Sequence, residues 1–176
     1  MPPSVRQWRA LRPWLLIRLA CASHSHSFAS MLSQKARYAI RAMQHLSDRY
    51  GQGLVPLADI AAAQNIPANF LTVILSEFSR FGLVESQRGR DGGYRLALPP
   101  VDISYGDLVR LTRGSLALVP CASRFAHETC KNCLPEAECR TRALMLQVRD
   151  RIAELLDGIK LSDPIELPPD DPGQKA

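Results

Sequence analysis

Four of the five cysteines of this chain crowd into residues 121–139, as Cys121, Cys130, Cys133 and Cys139, with gaps of eight, two and five residues between them. Cys130 and Cys133 form a C-x-x-C knuckle, and Cys121 and Cys139 flank it closely enough to fold back from either side. Soft thiolates select zinc, copper(I) or an iron–sulfur cluster. A disulfide framework suits short secreted chains that lack a core, whereas this chain has 176 residues, 46% of them hydrophobic. That is enough to bury one or two modest cores without staples, so a metal site is the first reading. Spacing alone favours a tetrahedral four-thiolate zinc site with a purely structural role. Thiol–disulfide exchange would need the knuckle to open a helix beside a strand, and Cys133 runs instead into Leu134-Pro135, a loop signal. Among the histidines, His24 and His26 lie near the start, His45 falls in a helical pattern, and His127 alone is near enough to join the cysteines.

The composition, 22% charged and 6% aromatic, is that of an ordinary globular chain. Its net charge of +5 is unevenly spread: Arg6, Arg9, Arg12 and Arg18 carry four of those charges in a stretch with no acid, leaving 18 basic against 17 acidic residues elsewhere. Within residues 31–98 eight basic residues face five acidic ones, a modest bias toward anions. Residues 14–22 are apolar behind a basic lead, but Arg18 interrupts them and no run reaches the ~18 apolar residues of a membrane span. The texture changes at Met31. Residues 1–30 are expected to be an unstructured upstream extension or a mis-assigned start, with a targeting peptide as the alternative.

The elements that would position the cysteines begin at Ser33, a capping residue ahead of Ala36, Ala39, Ile40, Met43 and Leu46 at helical spacing. Lys35, Arg37 and Arg41 lie on or near the polar side of that helix, and basic residues near a helix start are candidates for phosphate contact. A short helix from Leu57 to Gln64 closes on Asn65, and Pro67 opens a second one running to Phe81. Phe70, Leu71, Ile74, Leu75, Phe78 and Phe81 form its expected buried stripe, leaving Asn69, Thr72, Val73, Ser76 and Arg80 outside. Two short helices joined by a tight turn are a helix-turn-helix, whose second member enters the major groove of DNA.

The segment after this helix pair sharpens that expectation. Leu83–Ser86 and Tyr94–Leu98 alternate like paired strands around Gln87-Arg88-Gly89-Arg90-Asp91-Gly92-Gly93. Such a hairpin is a wing: Gly89, Gly92 and Gly93 let the backbone approach a phosphate or a narrow minor groove, Arg88 and Arg90 bring charge, and Tyr94 starts the return strand. Ser104 and Asp107 form a capping box for a helix from Tyr105 to Arg113. Beyond the cysteines a long helix carries Leu144, Val148, Ile152, Leu155 and Ile159 on one stripe opposite a polar face, which favours crossing the same helix of a second copy. Fold class is therefore mainly α: a winged helix-turn-helix DNA-binding domain plus a long C-terminal dimerisation helix. Its divisions are residues 31–98 for the DNA-binding domain, 99–120 for a bracing helix and linker, 121–139 for the cysteine loop, 140–159 for the dimerisation helix and 160–176 for an acidic flexible tail.

From Met31 to about Pro164 the chain resembles the winged-helix repressors that include IscR, NsrR and RirA, the Rrf-two family. The resemblance is carried by Lys35-Ala-Arg-Tyr-Ala-Ile-Arg-Ala-Met43, by Val55-Pro-Leu-Ala-Asp-Ile-Ala61, by Gly82-Leu-Val-Glu-Ser-Gln-Arg-Gly-Arg-Asp-Gly-Gly-Tyr94, and by the cysteines ahead of Arg140-Thr-Arg-Ala-Leu144. It implies a homodimeric, cytoplasmic repressor of operator DNA with no membrane or small-molecule partner, tuned by an iron–sulfur cluster that senses iron, nitric oxide or redox state. It also favours [4Fe–4S] over [2Fe–2S], with structural zinc as the alternative. By the same resemblance Cys133 and Cys139 match the last two cluster cysteines and Cys121 the first, while Cys130 is additional. Arg142 stands where some members have a histidine ligand, so Cys130 or an outside group is left to supply the fourth bond. Thr72 replaces an acidic specificity residue, so the operator does not carry over.

Overall fold

In a computed structural model, which describes residues 32–131 and 133–166, the chain is mainly helical with a small two-stranded sheet. Residues 1–30, for which an unstructured extension was expected, lie outside the described residues, as does the end of the tail from residue 167. Helix α1, Gln34–Ser47, starts where the Ser33 hydroxyl accepts from the Ala36 amide at 3.2 Å, and it buries Ala36, Ala39, Ala42, Met43 and Leu46 along one face. Helix α2, Leu57–Gln64, ends as Asn65 turns left-handed at φ 48°. Few side chains tolerate that backbone, and asparagine is among them.

Helix α3, Ala68–Arg80, buries Leu71, Ile74, Leu75 and Phe78. These four already complete a one-sided stripe, and Phe70 sits about a quarter-turn from it. Phe70, expected on the buried stripe, is accordingly 55% exposed and touches Tyr38 edge-on at 6.3 Å. Strands β1, Val84–Gln87, and β2, Gly93–Leu96, pair antiparallel with Val84 opposite Leu96 and Gln87 opposite Gly93. Val55 adds a further rung, exchanging two 2.9 Å backbone bonds with Tyr94. Phe78, Met43, Leu46, Ile60, Leu71 and Ile74 meet in one core beneath the hairpin.

Helix α4, Tyr105–Arg113, opens on the expected capping box of Ser104 and Asp107. Helix α5, Arg140–Gly158, has no buried residue in this single copy, and Leu144 and Leu155 are 54% and 62% exposed. Its far end nevertheless returns to the head. The Leu161 amide donates to the Ile103 carbonyl at 2.9 Å, and the Ser47 hydroxyl donates to the Leu161 carbonyl at 3.1 Å. Leu161, expected from the sequence to lie in the flexible tail, is buried in the core, so the frayed tail cannot begin at residue 160. A run of acids and prolines masks one anchoring leucine.

One polar group sits inside this core without full satisfaction. His45 of α1 is 4% exposed, its Nδ1 lies 3.3 Å from both Arg49 and Gln64, and its Nε2 has no hydrogen-bond partner among the described residues. Burial first, and Arg49 second, push its pKa below the ordinary imidazole value. The unfolded chain therefore takes up this proton at a higher pH than the folded chain does, and stability falls as pH drops through about 6.5 toward the lower folded value. Urea unfolding between pH 7.5 and pH 5 should show that loss, and a His45→Gln chain should show a smaller pH slope; equal slopes would contradict it.

Candidate nucleic-acid interface and cysteine loop

The turn from α2 into α3 leaves the outer face of the first half of α3 free, while Leu71 and Ile74 hold its inner face in the core. Asn69, Phe70, Thr72, Val73 and Ser76 are all exposed there. Thr72 donates its hydroxyl to the Ala68 carbonyl at 2.9 Å, so its hydroxyl proton is engaged within the helix. Lys35 is less free than the sequence implies. It pairs with Glu77 at 2.7 Å, and the bond ties α1 to α3 across partly buried side chains. Arg37 stays exposed and hydrogen-bonds Gln34 on its own helix.

The wing divides the predicted residues by role. Arg88, Gly89 and Arg90 stand exposed at its tip, and neither arginine makes an ion pair with another described residue. Gly89 has φ +116°, a conformation that side chains resist. Gly92 and Gly93 are required by crowding instead: a Cβ on Gly92 would collide with the Gln87 carbonyl, and one on Gly93 would come within 2.5 Å of the Val55 oxygen. They shape the hairpin, and Gly93 is buried. Tyr94 is half-buried on the Val55 rung. Arg95, a basic residue of the same hairpin, is engaged across the strands with Glu85 at 2.6 Å.

The cysteine loop lies at the other side of α4. Cys121 is buried in a single 3-10 turn, Pro120–Ala122, Cys130 and Cys139 are half-buried, and Cys133 is exposed. Cys139 caps α5, its Sγ accepting from the Arg142 amide at 3.4 Å. A thiol at this place faces the positive end of a helix dipole. The Cys130 thiol is pushed up first by its hydrogen bond with Cys121, then by burial and by the Cys121 charge. The Cys133 thiol is pushed up first by the Cys130 charge, then by burial, with Cys139 contributing. Cys121 thus bears on Cys130, and Cys130 and Cys139 on Cys133, so the two thiols of the C-x-x-C knuckle are the ones made harder to ionise. Among the described residues no group of three or more His, Cys, Asp or Glu side chains is arranged to hold a metal ion.

Arg142 holds the loop against α5. Its Nε donates to the Cys121 carbonyl at 3.1 Å and pairs with Glu136 at 3.1 Å, and Glu136 in turn lies 3.0 Å from His127. His127 therefore faces a carboxylate. Arg149 donates to the Ala122 carbonyl at 2.7 Å, and Arg124 pairs with Asp150 at 2.9 Å. Nothing in the spacing of Arg142 and Arg149 marks them as loop anchors, because the loop atoms they hold, the Cys121 and Ala122 carbonyls, are backbone.

Residues 32–166 match the Rrf2 family, described as iron-dependent transcriptional regulators. The chain belongs to the Rrf2 family. An rrf2-like HTH-type regulator of Rhodobacter capsulatus is 38% identical over 136 residues, covering 76% of this chain and 91% of its own length. The regulator IscR of Aliivibrio salmonicida is 35% identical over 132 residues, 75% of each chain. Among solved structures, that of CymR, the global cysteine regulator of Bacillus subtilis, superposes with a TM-score of 0.61 at 32% identity, covering 75% of this chain and 93% of that one. This Rrf2 protein is a DNA-binding transcriptional regulator of winged-helix fold and not an enzyme. No helix among its described residues is long and apolar enough to cross a membrane.

Removing the two tip arginines together, Arg88→Ala with Arg90→Ala, should weaken duplex binding and flatten its dependence on salt by about 0.9 in log–log slope for each phosphate no longer neutralised. Fluorescence anisotropy across a salt series reads both quantities. A slope equal to that of the unaltered chain would remove the wing from the interface.

Proposed function

We propose that this Rrf2 protein is a cytoplasmic homodimeric repressor whose operator affinity is set by an iron–sulfur cluster on Cys121, Cys130, Cys133 and Cys139. One observation carries the reading: the cysteine loop is hydrogen-bonded along the first half of α5, while the last turn of α5 is bonded to α4, the helix that braces the winged head. The donor set fits a soft, cationic group. The Cys130 and Cys133 thiols, pushed up by a hydrogen bond with Cys121 and by the Cys130 charge respectively, would ionise readily with a cation among them. Cys130 supplies a fourth sulfur at the place in the donor set where Arg142, engaged with Glu136 and a carbonyl, offers none. Support for iron comes from the family description as iron-dependent regulators. We favour [4Fe–4S], which four thiolates complete without an outside ligand. A bound cluster would supply responsiveness to oxygen, nitric oxide and iron shortage.

The chain's own residues turn that occupancy into geometry. Cys121 and Cys139, drawn together, would fix the Pro120–Ala122 turn against the start of α5. The stripe of Leu144, Val148, Ile152 and Leu155, exposed at its two leucines and half-buried between them in one copy, would pack on the same stripe of the second copy. Two α3 helices then face successive major grooves only when they stand ~34 Å apart, so a small shift of α5 changes affinity. The contacts to DNA come from α3 through Asn69, Thr72 and Val73 and from the wing through Arg88, Gly89 and Arg90, with Arg37 beside them.

Anaerobic purification of the full chain, followed by absorption spectroscopy and counts of iron, acid-labile sulfide and zinc, tests the proposal. Visible absorption with equal iron and sulfide is expected, and Cys130→Ser and Cys133→Ser should each lower both contents several-fold while leaving the helical circular-dichroism signal intact. Stoichiometric zinc without sulfide would replace sensing with a structural four-thiolate site, and a colourless protein with free thiols would overturn both.

A further inference from the structure

We infer that the free face of α3 reads thymine 5-methyl groups, with Val73 and the methyl of Thr72 as the contacting groups and Phe70 at their edge. The inference rests on the assignment of α3 as the recognition helix and adds the class of base that it selects. From Ala68 to Ser76 the helix carries no charged residue. The first charge on it, Glu77, is taken up by Lys35. Guanine is read in the major groove by arginine or lysine and cytosine by a carboxylate, and the base-facing half of α3 offers neither. What it does offer is apolar surface: Phe70 and Val73 are each 55% exposed, on a helix that buries its other large hydrophobics. Thr72 joins them because its hydroxyl is spent on the Ala68 carbonyl.

Apolar side chains in the major groove find one apolar feature on the bases, the methyl of thymine, whereas a side-chain amide pairs with adenine. Asn69 lies four residues before Val73, on the same line of the helix and ~6 Å from it along the axis. An amide and a branched aliphatic group so placed match adjacent A·T and T·A steps. The surroundings favour a nucleic acid over a protein partner for this patch. The exposed cations Arg37, Arg88 and Arg90 belong to the helix and wing that accompany α3, the distribution a polyanion requires.

The test uses the full chain, purified anaerobically, and works without a known operator. Selection from a randomised duplex library gives the preferred site, and each thymine in it is then replaced singly by deoxyuridine, which removes the methyl and keeps every hydrogen-bonding group. At least one replacement per half-site should weaken binding about fourfold, the worth of one buried methyl-sized group. A Val73→Ala chain should bind the thymine and deoxyuridine duplexes equally at that position. Its fold is not at risk, since an exposed valine in a helix gives way to a better helix former. A selected half-site with only G·C pairs at its core, or deoxyuridine tolerated at every position without loss, would overturn the inference while leaving DNA binding by α3 in place. Failure to enrich any sequence, with no competable duplex binding, would overturn both.

Discussion

A guanidinium laid across both oxygens of a carboxylate joins the two halves of this molecule. Arg110 of α4 bonds Asp157 of α5 at 2.6 and 2.7 Å, and Asp157 holds the Arg110 pKa above its ordinary value. The pair is half-open to solvent, so its contribution to stability is about 1 kcal/mol or less. Its importance is geometric. Gly106 lies beneath it, and a Cβ at that position would collide with the Asp157 carboxylate, so the pair keeps this geometry because a glycine is there. Just beyond, the Tyr105 amide donates to the Ile159 carbonyl at 3.2 Å and Leu161 enters the head's core. A long helix with no buried residue of its own is thereby made a rigid extension of the winged domain.

The cysteine loop acts at the opposite end of that lever. Arg142 and Arg149 reach from α5 to the carbonyls of Cys121 and Ala122, so the loop and the helix already share an orientation before any thiol is engaged. The raised Cys130 and Cys133 thiols stay protonated in the empty loop, and a soft cation would favour their thiolates. With one end of α5 fixed to the head and the other beside the cysteine loop, a change at the loop has a short mechanical path along that helix. Arg142 is then an orienting residue, standing on Glu136 and the backbone.

Much of this was legible in the sequence where local rules and tertiary packing agree. Ser33, Asn65 and the Ser104–Asp107 box mark helix ends by hydrogen bonds or backbone angles that the residue types themselves announce. The wing was equally plain in its glycines, although Gly92 and Gly93 serve steric crowding more than approach to a ligand. Three features depend on which surfaces meet and left little trace. Phe70 reads as core because hydrophobicity carries no phase finer than a helix face, and Lys35 reads as a free cation because Glu77 is 42 residues away. Leu161 disappears among tail residues since its partner, the Ile103 carbonyl, is backbone and has no sequence signature.

The measurement that bears most directly on the central claim is operator affinity against cluster content in one preparation, with the cofactor removed in steps and the dimer fraction followed alongside. Affinity is expected to change progressively by about five- to 150-fold, the range of a ~1 to 3 kcal/mol coupling, while the protein remains dimeric. Affinity that stays constant from fully loaded to fully depleted protein would contradict that coupling.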